Sequence, residues 1–234
     1  ELQAQHRAVT AQDYELFTKN SSRAVSRTRC LTPNDIAEGV AGTVSVIVVP
    51  AVADALNAGS IGSLHLDDAL QAEIRAFLDQ YRLLTTSLNI REPRYTGVKV
   101  KAKIVPQDFV RPTEVVQRVD EELRRYLTPL PLDERTPLLL AGEQWEGWEF
   151  GKDLFAAEIV SLIQQIPSVK YVLDVEVLSR TIVPVEESSM FDDGHSAPLT
   201  PVAKILQIPD DGLICSLEHD IETASVEDMY EDGE

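Results

Sequence analysis

Two clusters of polar side chains in this sequence have the composition of a metal or acid–base site. His65 lies close before Asp67 and Asp68, and residues 192–195 are Asp-Asp-Gly-His. Imidazole and carboxylate groups are common metal ligands and proton carriers. Each cluster also has a structural explanation, since acids favour the positive end of a helix and Asp, Gly and His favour polar turns. We favour the structural explanation for both clusters, and predict no catalytic residue, metal ion or cofactor.

Other signs of catalysis or metal binding are missing from the sequence. It contains no phosphate-binding loop motif, no dinucleotide-binding glycine pattern, no serine hydrolase motif and no zinc helix motif. The four histidines are too widely spaced to suggest a ligand set. Cys30 and Cys215 have no neighbouring cysteine, which favours two buried free thiols over a metal site.

Three lysines form the one basic feature with a regular spacing. Lys99, Lys101 and Lys103 alternate with apolar residues. On a strand this alternation places the three ammonium groups on one face, about 7 Å apart. They could contact an acidic surface of a partner. The alternative is an exposed or edge strand whose lysines prevent unwanted pairing.

Two tryptophans in a turn-rich region are further candidates for contact with a partner. Trp145 and Trp148 could be interface anchors, because aromatic side chains are concentrated at interfaces. They could equally fill the core of their own domain. The sequence does not choose between these roles for Trp145, and it favours the core for Trp148.

The C-terminal segment is strongly acidic. Residues 218–234 contain eight Asp or Glu and no Lys or Arg. Such a segment is either a solvated terminus or a segment that docks on a basic neighbour. The pattern of a calcium-binding loop is absent. If the segment docks, the candidate contact residues are Glu227, Asp228, Glu231 and Asp232.

Composition excludes some classes of partner. A formal net charge of −18 opposes binding to nucleic acid, because each phosphate contact would have to overcome that field. No apolar run reaches the length of a membrane span, so direct membrane insertion is not expected. The 234 residues can form one large or two small domains.

The pattern of apolar residues predicts an α+β protein of two small α/β units, each a mixed or antiparallel sheet packed against amphipathic helices. The predicted domains are 1–93 and 94–222, followed by an acidic tail over 223–234. The first contains helices over 11–19 and from Asp67, and strands over 24–31, 44–50 and 86–91. A turn at Thr96 and Gly97 is expected to separate the two domains.

The second predicted domain begins with the lysine strand, from Val98, and continues with a helix from Pro112. The sequence Gly-Trp-Glu-Phe-Gly at 147–151 predicts a tight turn with buried rings. A helix should follow, with Phe155, Ile159, Leu162, Ile163 and Ile166 on its apolar face. The next strand should place alternate residues on one side, namely Val169, Tyr171, Leu173, Val175 and Val177. A hairpin over 202–222 is the last expected element.

Several short motifs resemble a known family when taken in order. They are RAVTAQDY at 7–14, VSVIVVP at 44–50, LDQYRLL at 78–84, PRYTGV at 93–98, GWEFG at 147–151 with IPSVKYV at 166–172, and IPDDGL at 208–213 followed by Glu218 and His219. Together they resemble the C-terminal part of baseplate J-like proteins, which form the wedge of contractile phage tails and of extracellular contractile injection particles.

The resemblance implies a structural role without catalysis. A wedge protein would be incorporated with six-fold symmetry, contact other wedge subunits, the hub and sheath-proximal proteins, and rearrange when the sheath contracts. It would assemble in the cytoplasm and become part of a phage tail or tail-like particle, which some cells release. The resemblance also implies further domains before Glu1. The alternatives are a free-standing protein-binding module and, less favoured, a metal-dependent hydrolase that uses Asp192 and Asp193.

Overall fold

The computed structural model describes residues 7–35, 40–140, 145–183 and 197–225 of the chain. The chain divides between Arg94 and Tyr95 into two compact units. Unit 1 denotes the described residues up to Arg94, and unit 2 denotes those from Tyr95 onwards. Each contains a mixed sheet and amphipathic helices, so the predicted α+β class is confirmed. That these units are domains with the predicted bounds 1–93 and 94–222 stays a prediction.

Unit 1 packs helices against a three-stranded sheet of order β1-β2-β3. The central strand β2 is antiparallel to β1 and parallel to β3. The parallel connection from β2 to β3 contains the main helix of the unit, α3. The elements are α1 (Ala11–Ser21), β1 (Val25–Leu31), β2 (Thr43–Pro50), α2 (Ala53–Asn57), α3 (Asp68–Leu78) and β3 (Ser87–Arg91).

The helices of unit 1 begin where the sequence predicts. The Thr10 hydroxyl accepts the backbone N–H of Asp13, and the Asp13 carboxylate accepts that of Thr10, which forms a capping box for α1. The Asp67 carboxylate accepts the N–H of Ala69 at the start of α3. Along α3, Ile74 and Leu78 are completely buried in the core of the unit. The short helix α2 was not predicted.

Unit 2 contains a five-stranded sheet and two long helices. Along its main path the strand order is β10-β4-β6-β7, and β9 also pairs with β4. The small strands β5 and β8 pair with each other. The elements are β4 (Arg94–Pro106), α4 (Pro112–Tyr126), β5 (Leu154–Phe155), α5 (Ala156–Gln164), β6 (Val169–Ile182), β7 (Thr200–Pro201), β8 (Ile205–Leu206), β9 (Gly212–Ser216) and β10 (Asp220–Thr223).

The core of unit 2 lies between one face of this sheet and helices α4 and α5. Its largest cluster contains alternate residues of β4, including Val98 and Val100, with Val119 and Leu123 of α4 and Ile159 of α5. Alternate residues of β4 thus pack against residues of α4 that recur at helical spacing. The side chains of β4 between these apolar positions, the lysines among them, lie on the opposite face of the sheet.

The turn predicted at Thr96 and Gly97 is wrong, because both residues lie inside β4 and pair with Thr181 and Arg180 of β6. Gly97 instead leaves room for two neighbouring side chains. A Cβ atom at this position would lie 2.5 Å from Ile182 Cδ1 and 3.0 Å from Leu217 Cγ. The glycine therefore permits close packing within a strand.

The predicted alternation along β6 holds only in part. The pairing with β4 shifts between Lys103 and Ile104, where a bulge occurs. Val175 and Val177 face the core, as do Val172 and Val169 beyond the bulge, whereas Tyr171 is 44% exposed. Phe155 is also misassigned, because it precedes α5 and is 45% exposed.

The predicted C-terminal hairpin is wrong as well. In the described part of residues 202–222, β8 pairs with β5, while β9 and β10 both pair with β4. The pairing of β10 with β4 is parallel. Because β9 and β10 both pair with β4, they do not pair with each other as the two strands of a hairpin do.

Candidate interaction surfaces

The lysine strand lies in the middle of the sheet of unit 2. On one side, Lys101 and Lys103 are paired in register with Glu176 and Asp174 of β6. On the other side they are paired with Asp220 and Glu222 of β10. A basic strand therefore runs between two acidic strands on the sheet face that the helices do not cover.

Lys99 and Lys101 form ion pairs within the chain. Lys101 Nζ lies 3.1 Å from Glu176 Oε2, and Lys99 Nζ lies 2.7 Å from Asp220 Oδ2. The predicted acidic partner of the lysines thus exists at least partly within the chain itself. The edge-strand alternative is wrong, because β4 is paired on both sides. A contact of these lysines with another protein stays a prediction.

Trp148 fills the core of unit 2, which agrees with the role that the sequence favoured. The residue is completely buried. Its ring meets Tyr126 edge to face with centroids 5.3 Å apart, and its Nε1–H donates to the Lys152 carbonyl at 2.9 Å. Gly147 before it has a φ of 90°, which L-residues rarely adopt. A Cβ there would lie 2.4 Å from the Pro129 carbonyl oxygen.

Trp145 is half-buried and stacks on the other side of this aromatic group. Its ring centroid is 6.0 Å from that of Tyr126, and the two ring planes are nearly parallel. Its buried Nε1–H has no hydrogen-bond partner in the residues that the structure describes. Trp145 therefore belongs partly to its own core and partly to the surface, where its role as an interface residue stays a prediction.

A buried ion pair attaches the segment after α4 to that helix. Arg125 is 4% exposed and forms a salt bridge with Glu122 on α4 and another with Asp133 at 3.2 Å. Burial by itself would raise the pKa of Asp133, but hydrogen bonds from Arg125 and Arg135 outweigh it and lower this pKa to about 2. The spacing of Asp and Glu at 120–122 and Arg at 124 and 125 predicts ion pairs on an exposed helix face, but the Arg125 pair is buried.

Four candidate residues of the acidic tail, Glu227, Asp228, Glu231 and Asp232, lie outside the described residues. The same holds for residues 192–195, the second candidate cluster for chemistry. Within the described ranges, no three His, Cys, Asp or Glu side chains come together as a metal site would require. His65 lies beside Glu92, with Nδ1 3.4 Å from Oε2, and Asp67 serves as a helix cap.

His219 has a structural role that the sequence did not reveal. The residue follows β9 and precedes β10, where the pairing of this segment with β4 is interrupted. Its Nδ1 accepts the backbone N–H of Val100 at 3.0 Å, in place of a strand carbonyl. Its Nε2 lies 2.9 Å from the Ser216 hydroxyl. Burial, together with the charges of Arg124 and Lys99, lowers the pKa of His219 to about 3.

Both cysteines are buried free thiols, as the sequence predicts. Burial raises the pKa of Cys30 and that of Cys215 to about 12. A thiol with such a pKa is protonated at neutral pH and therefore a poor nucleophile. Neither residue is a candidate for chemistry in the folded protein.

An exposed aromatic residue was also missed. Phe109, in the turn between β4 and α4, is fully exposed and has a φ of 68°. A left-handed conformation costs an L-residue about 1–2 kcal/mol, and Gly or Asn is the usual choice there. Neither periodicity nor composition marks such a position, because the conformation depends on how the turn is closed.

No protein-family model matches the chain, and no curated protein matches it in sequence. Among solved structures, it is similar to a chain in the cryo-EM structure of the anti-feeding prophage baseplate, 6-fold symmetrised. The TM-score is 0.56 and the sequence identity 13%, over 93% of this chain and 38% of that chain. This chain thus has a baseplate-like fold and spans little more than a third of that neighbour. None of the described helices is long and apolar enough to cross a membrane.

Proposed function

We propose that this chain is a structural component of the baseplate of a contractile phage tail or injection particle, and more specifically a part of its wedge. The observation that carries the proposal is the fold likeness to a chain of the anti-feeding prophage baseplate, which extends over 93% of this chain. Because the likeness includes both units, it concerns their order along the chain as well as the fold of each.

The sequence supports the proposal independently. The motifs that resemble baseplate J-like proteins occur in order from residue 7 to residue 222 and fall in both units. One of them coincides with a structural requirement, namely Gly147 before the buried Trp148. The function proposed is to link neighbouring wedge subunits around the hub and to rearrange on sheath contraction, without catalysis.

The proposed partners are other wedge subunits, the hub and sheath-proximal proteins in a six-fold assembly formed in the cytoplasm. Candidate contacts on this chain are the lysine strand, Trp145 and the acidic tail. Phe109 is added to them, because a fully exposed aromatic ring in a costly backbone conformation is a suitable interface anchor. Trp148 is not a candidate contact, because it is completely buried.

The proposal is tested by purification of large particles from native lysate. Negative-stain electron microscopy shows whether the fraction contains sheathed tubes with a baseplate, and mass spectrometry shows whether it contains peptides of this chain. We expect both together. Peptides found only in the soluble fraction, where such tubes are abundant, would contradict the proposal and favour a free-standing binding module.

A charge exchange tests the lysine strand as a contact. The double variant Lys101→Glu with Glu176→Lys keeps the net charge and the ion pair but reverses its direction across the sheet. The new carboxylate lies opposite Asp220 of β10, so a modest loss of thermal stability is expected. If Lys101 contacts an acidic neighbour, incorporation into particles falls although the protein still folds. Phe109→Gly tests the aromatic anchor in the same way, since glycine readily adopts a φ of 68°. Unchanged incorporation removes the corresponding residue from the interface.

A further inference from the structure

The outer edge of β6 is paired over only a small part of its length. β6 extends over Val169–Ile182, but its outer neighbour β7 pairs only with Leu178 and Ser179. Residues 177–179 are buried, whereas residues 170–176 are all half-buried or exposed. In the part of the chain that the structure describes, nothing forms a hydrogen bond to the outer backbone of residues 172–176.

The direction of the free backbone groups follows from the pairing with β7. The Val177 carbonyl accepts the N–H of Val202 at 2.8 Å, so the polar groups of Val177 point away from β4. Backbone direction alternates along a strand, so the N–H and C=O groups of Val175 also point away from β4. A buried or half-buried edge with free N–H and C=O groups can pair with another extended chain.

The side chains beside this edge indicate which chain would fit. Asp174 and Glu176 are exposed on the open face of the sheet, and Val172 and Val175 pack towards the core on the other. A second copy of β6 would place acids beside acids, which is unfavourable. A strand with basic residues on one face and apolar residues on the other would match both faces.

The sheet already contains one example of this match. The sequence of β4 alternates Lys99, Lys101 and Lys103 with apolar residues, and β4 pairs with the inner edge of β6. Across the open face, β10 is acidic, β4 basic and β6 acidic. Among the described residues, no strand lies outside residues 172–176, and charge complementarity calls for a basic strand there.

We propose that residues 172–176 of β6 form a strand-pairing site for an extended segment of a neighbouring protein in which basic and apolar side chains alternate. The inference rests on the proposed function only for the identity of that neighbour as a subunit of the same particle. The pairing itself is measured with purified protein and synthetic peptides, so it can fail while the baseplate assignment holds, or hold while that assignment fails.

The probe is a peptide with the sequence of residues 97–105, GVKVKAKIV, capped at both ends. The control peptide has each Lys replaced by Glu. We expect saturable binding of the lysine peptide, an affinity that falls with added salt, and no binding of the glutamate peptide. Equal binding of both peptides, or of neither, would overturn the proposal.

Two variants of one residue separate backbone pairing from side-chain contact. Val175→Pro removes the outward N–H and leaves the ladder with β4 intact, because that N–H points away from β4. Val175→Ala shortens the side chain but keeps the N–H. We expect Val175→Pro to weaken binding about tenfold, the loss of roughly one backbone hydrogen bond, and Val175→Ala to bind within about threefold of the unmodified protein, since only side-chain packing changes. Equal affinities of the two variants would contradict strand pairing.

Hydrogen exchange on the unmodified protein gives a result that does not depend on the folding of a variant. The Val175 amide should exchange rapidly in the free protein and slow at least tenfold when the lysine peptide is saturating, since it then gains a backbone hydrogen bond. Strong protection in the free protein would show that the edge is already covered by this chain or by a second copy, and it would overturn the proposal.

Discussion

Unit 1 and unit 2 both pack helices against one face of a small mixed sheet, but they differ in how the backbone groups at the sheet edges are hydrogen-bonded. In unit 1, Arg75 of α3 donates to the outward carbonyl of Leu88 at 3.1 Å, and Gln71 donates to that of Ile90. On the opposite edge, the Glu15 carboxylate of α1 accepts the N–H of Cys30 at 2.8 Å. The helices thus cover the sheet and also use its edge groups.

In unit 2 the helices cover the core face only. The long strand β6 keeps an edge without hydrogen-bond partners over residues 172–176 in the described structure, while the opposite edge of β4 is used by β9 and β10 in succession. Edge groups occupied by side chains prevent association. We infer that unit 2, rather than unit 1, presents the surface for strand pairing.

The largest expected effect tests whether the two units are separate in stability. Leu78 of α3 and Leu123 of α4 are both completely buried, so Leu→Ala at either position should cost about 2–5 kcal/mol. Both tryptophans lie in unit 2, so tryptophan fluorescence reports that unit alone, while far-ultraviolet circular dichroism reports both. We expect Leu123→Ala to shift the fluorescence transition in urea, and Leu78→Ala to leave it unchanged. Equal shifts would mean that the units unfold together.

The next effect concerns the acid sensitivity of unit 2. Because the pKa of His219 is lowered to about 3, the unfolded chain binds more protons than the native one between that value and the ordinary histidine pKa of about 6.5. Stability should therefore be fully present above about pH 6.5 and decrease as the pH falls towards 3. Measuring urea unfolding by fluorescence at several pH values checks the slope.

Substitutions of His219 separate its titration from its hydrogen bond. His219→Asn keeps an acceptor near the Val100 N–H but cannot titrate, so the acid-dependent loss should become shallower than in the unmodified protein. His219→Ala leaves that buried N–H without its acceptor and should cost about 1–3 kcal/mol at neutral pH. An unchanged pH profile in His219→Asn would assign the acid sensitivity to other groups.

A smaller effect tests the edge protection in unit 1. Each hydrogen bond from Gln71 and Arg75 to the carbonyls of β3 is expected to contribute about 1 kcal/mol. The double variant Gln71→Ala with Arg75→Ala should lower stability modestly and increase self-association at high concentration, measured by analytical ultracentrifugation. The matched control is Gln80→Ala, whose side chain bonds only within its own helix region. If the control variant also self-associates, the increase is not caused by the loss of hydrogen bonds at the edge of β3.

The smallest effect concerns the ion pairs of the open sheet face. Lys101 and Glu176 are both about half exposed, and exposed pairs contribute little because water and salt screen them. Lys101→Gln should therefore change the free energy of unfolding of unit 2 by about 0.5 kcal/mol or less, as measured by urea unfolding. A loss of more than about 2 kcal/mol would show that the acidic and basic strands depend on these charges for folding.

Much of the local structure was predictable from the sequence because local rules produce it. The capping box of α1, the Asp67 cap of α3 and the first-turn proline of α4 all follow from backbone groups that need partners at helix ends. The class of fold followed from the alternation of strand and helix periods. The lysine strand was recognised, but its neighbours were not.

The errors share one cause, which is that distant residues decided the outcome. Gly97 is typical of a turn in the sequence, yet it lies inside β4, where the side chains of Ile182 and Leu217 approach the strand. Tyr171 left the apolar face of β6 because of a bulge in the pairing with β4. The segment expected to form a hairpin forms two strands beside β4, and between them the imidazole of His219 accepts the N–H of Val100.

The sequence by itself determined the longer helices, most of the strands, the burial of both thiols and Trp148, and the acidic character of the chain, because these depend on periodicity, caps and composition. Tertiary structure alone decided that the lysines lie between two acidic strands, that His219 is held neutral and that β6 has an unpaired edge in the described structure. Each of these depends on which strands become neighbours. Strand pairing brings together residues far apart in sequence, and no local pattern encodes their partners.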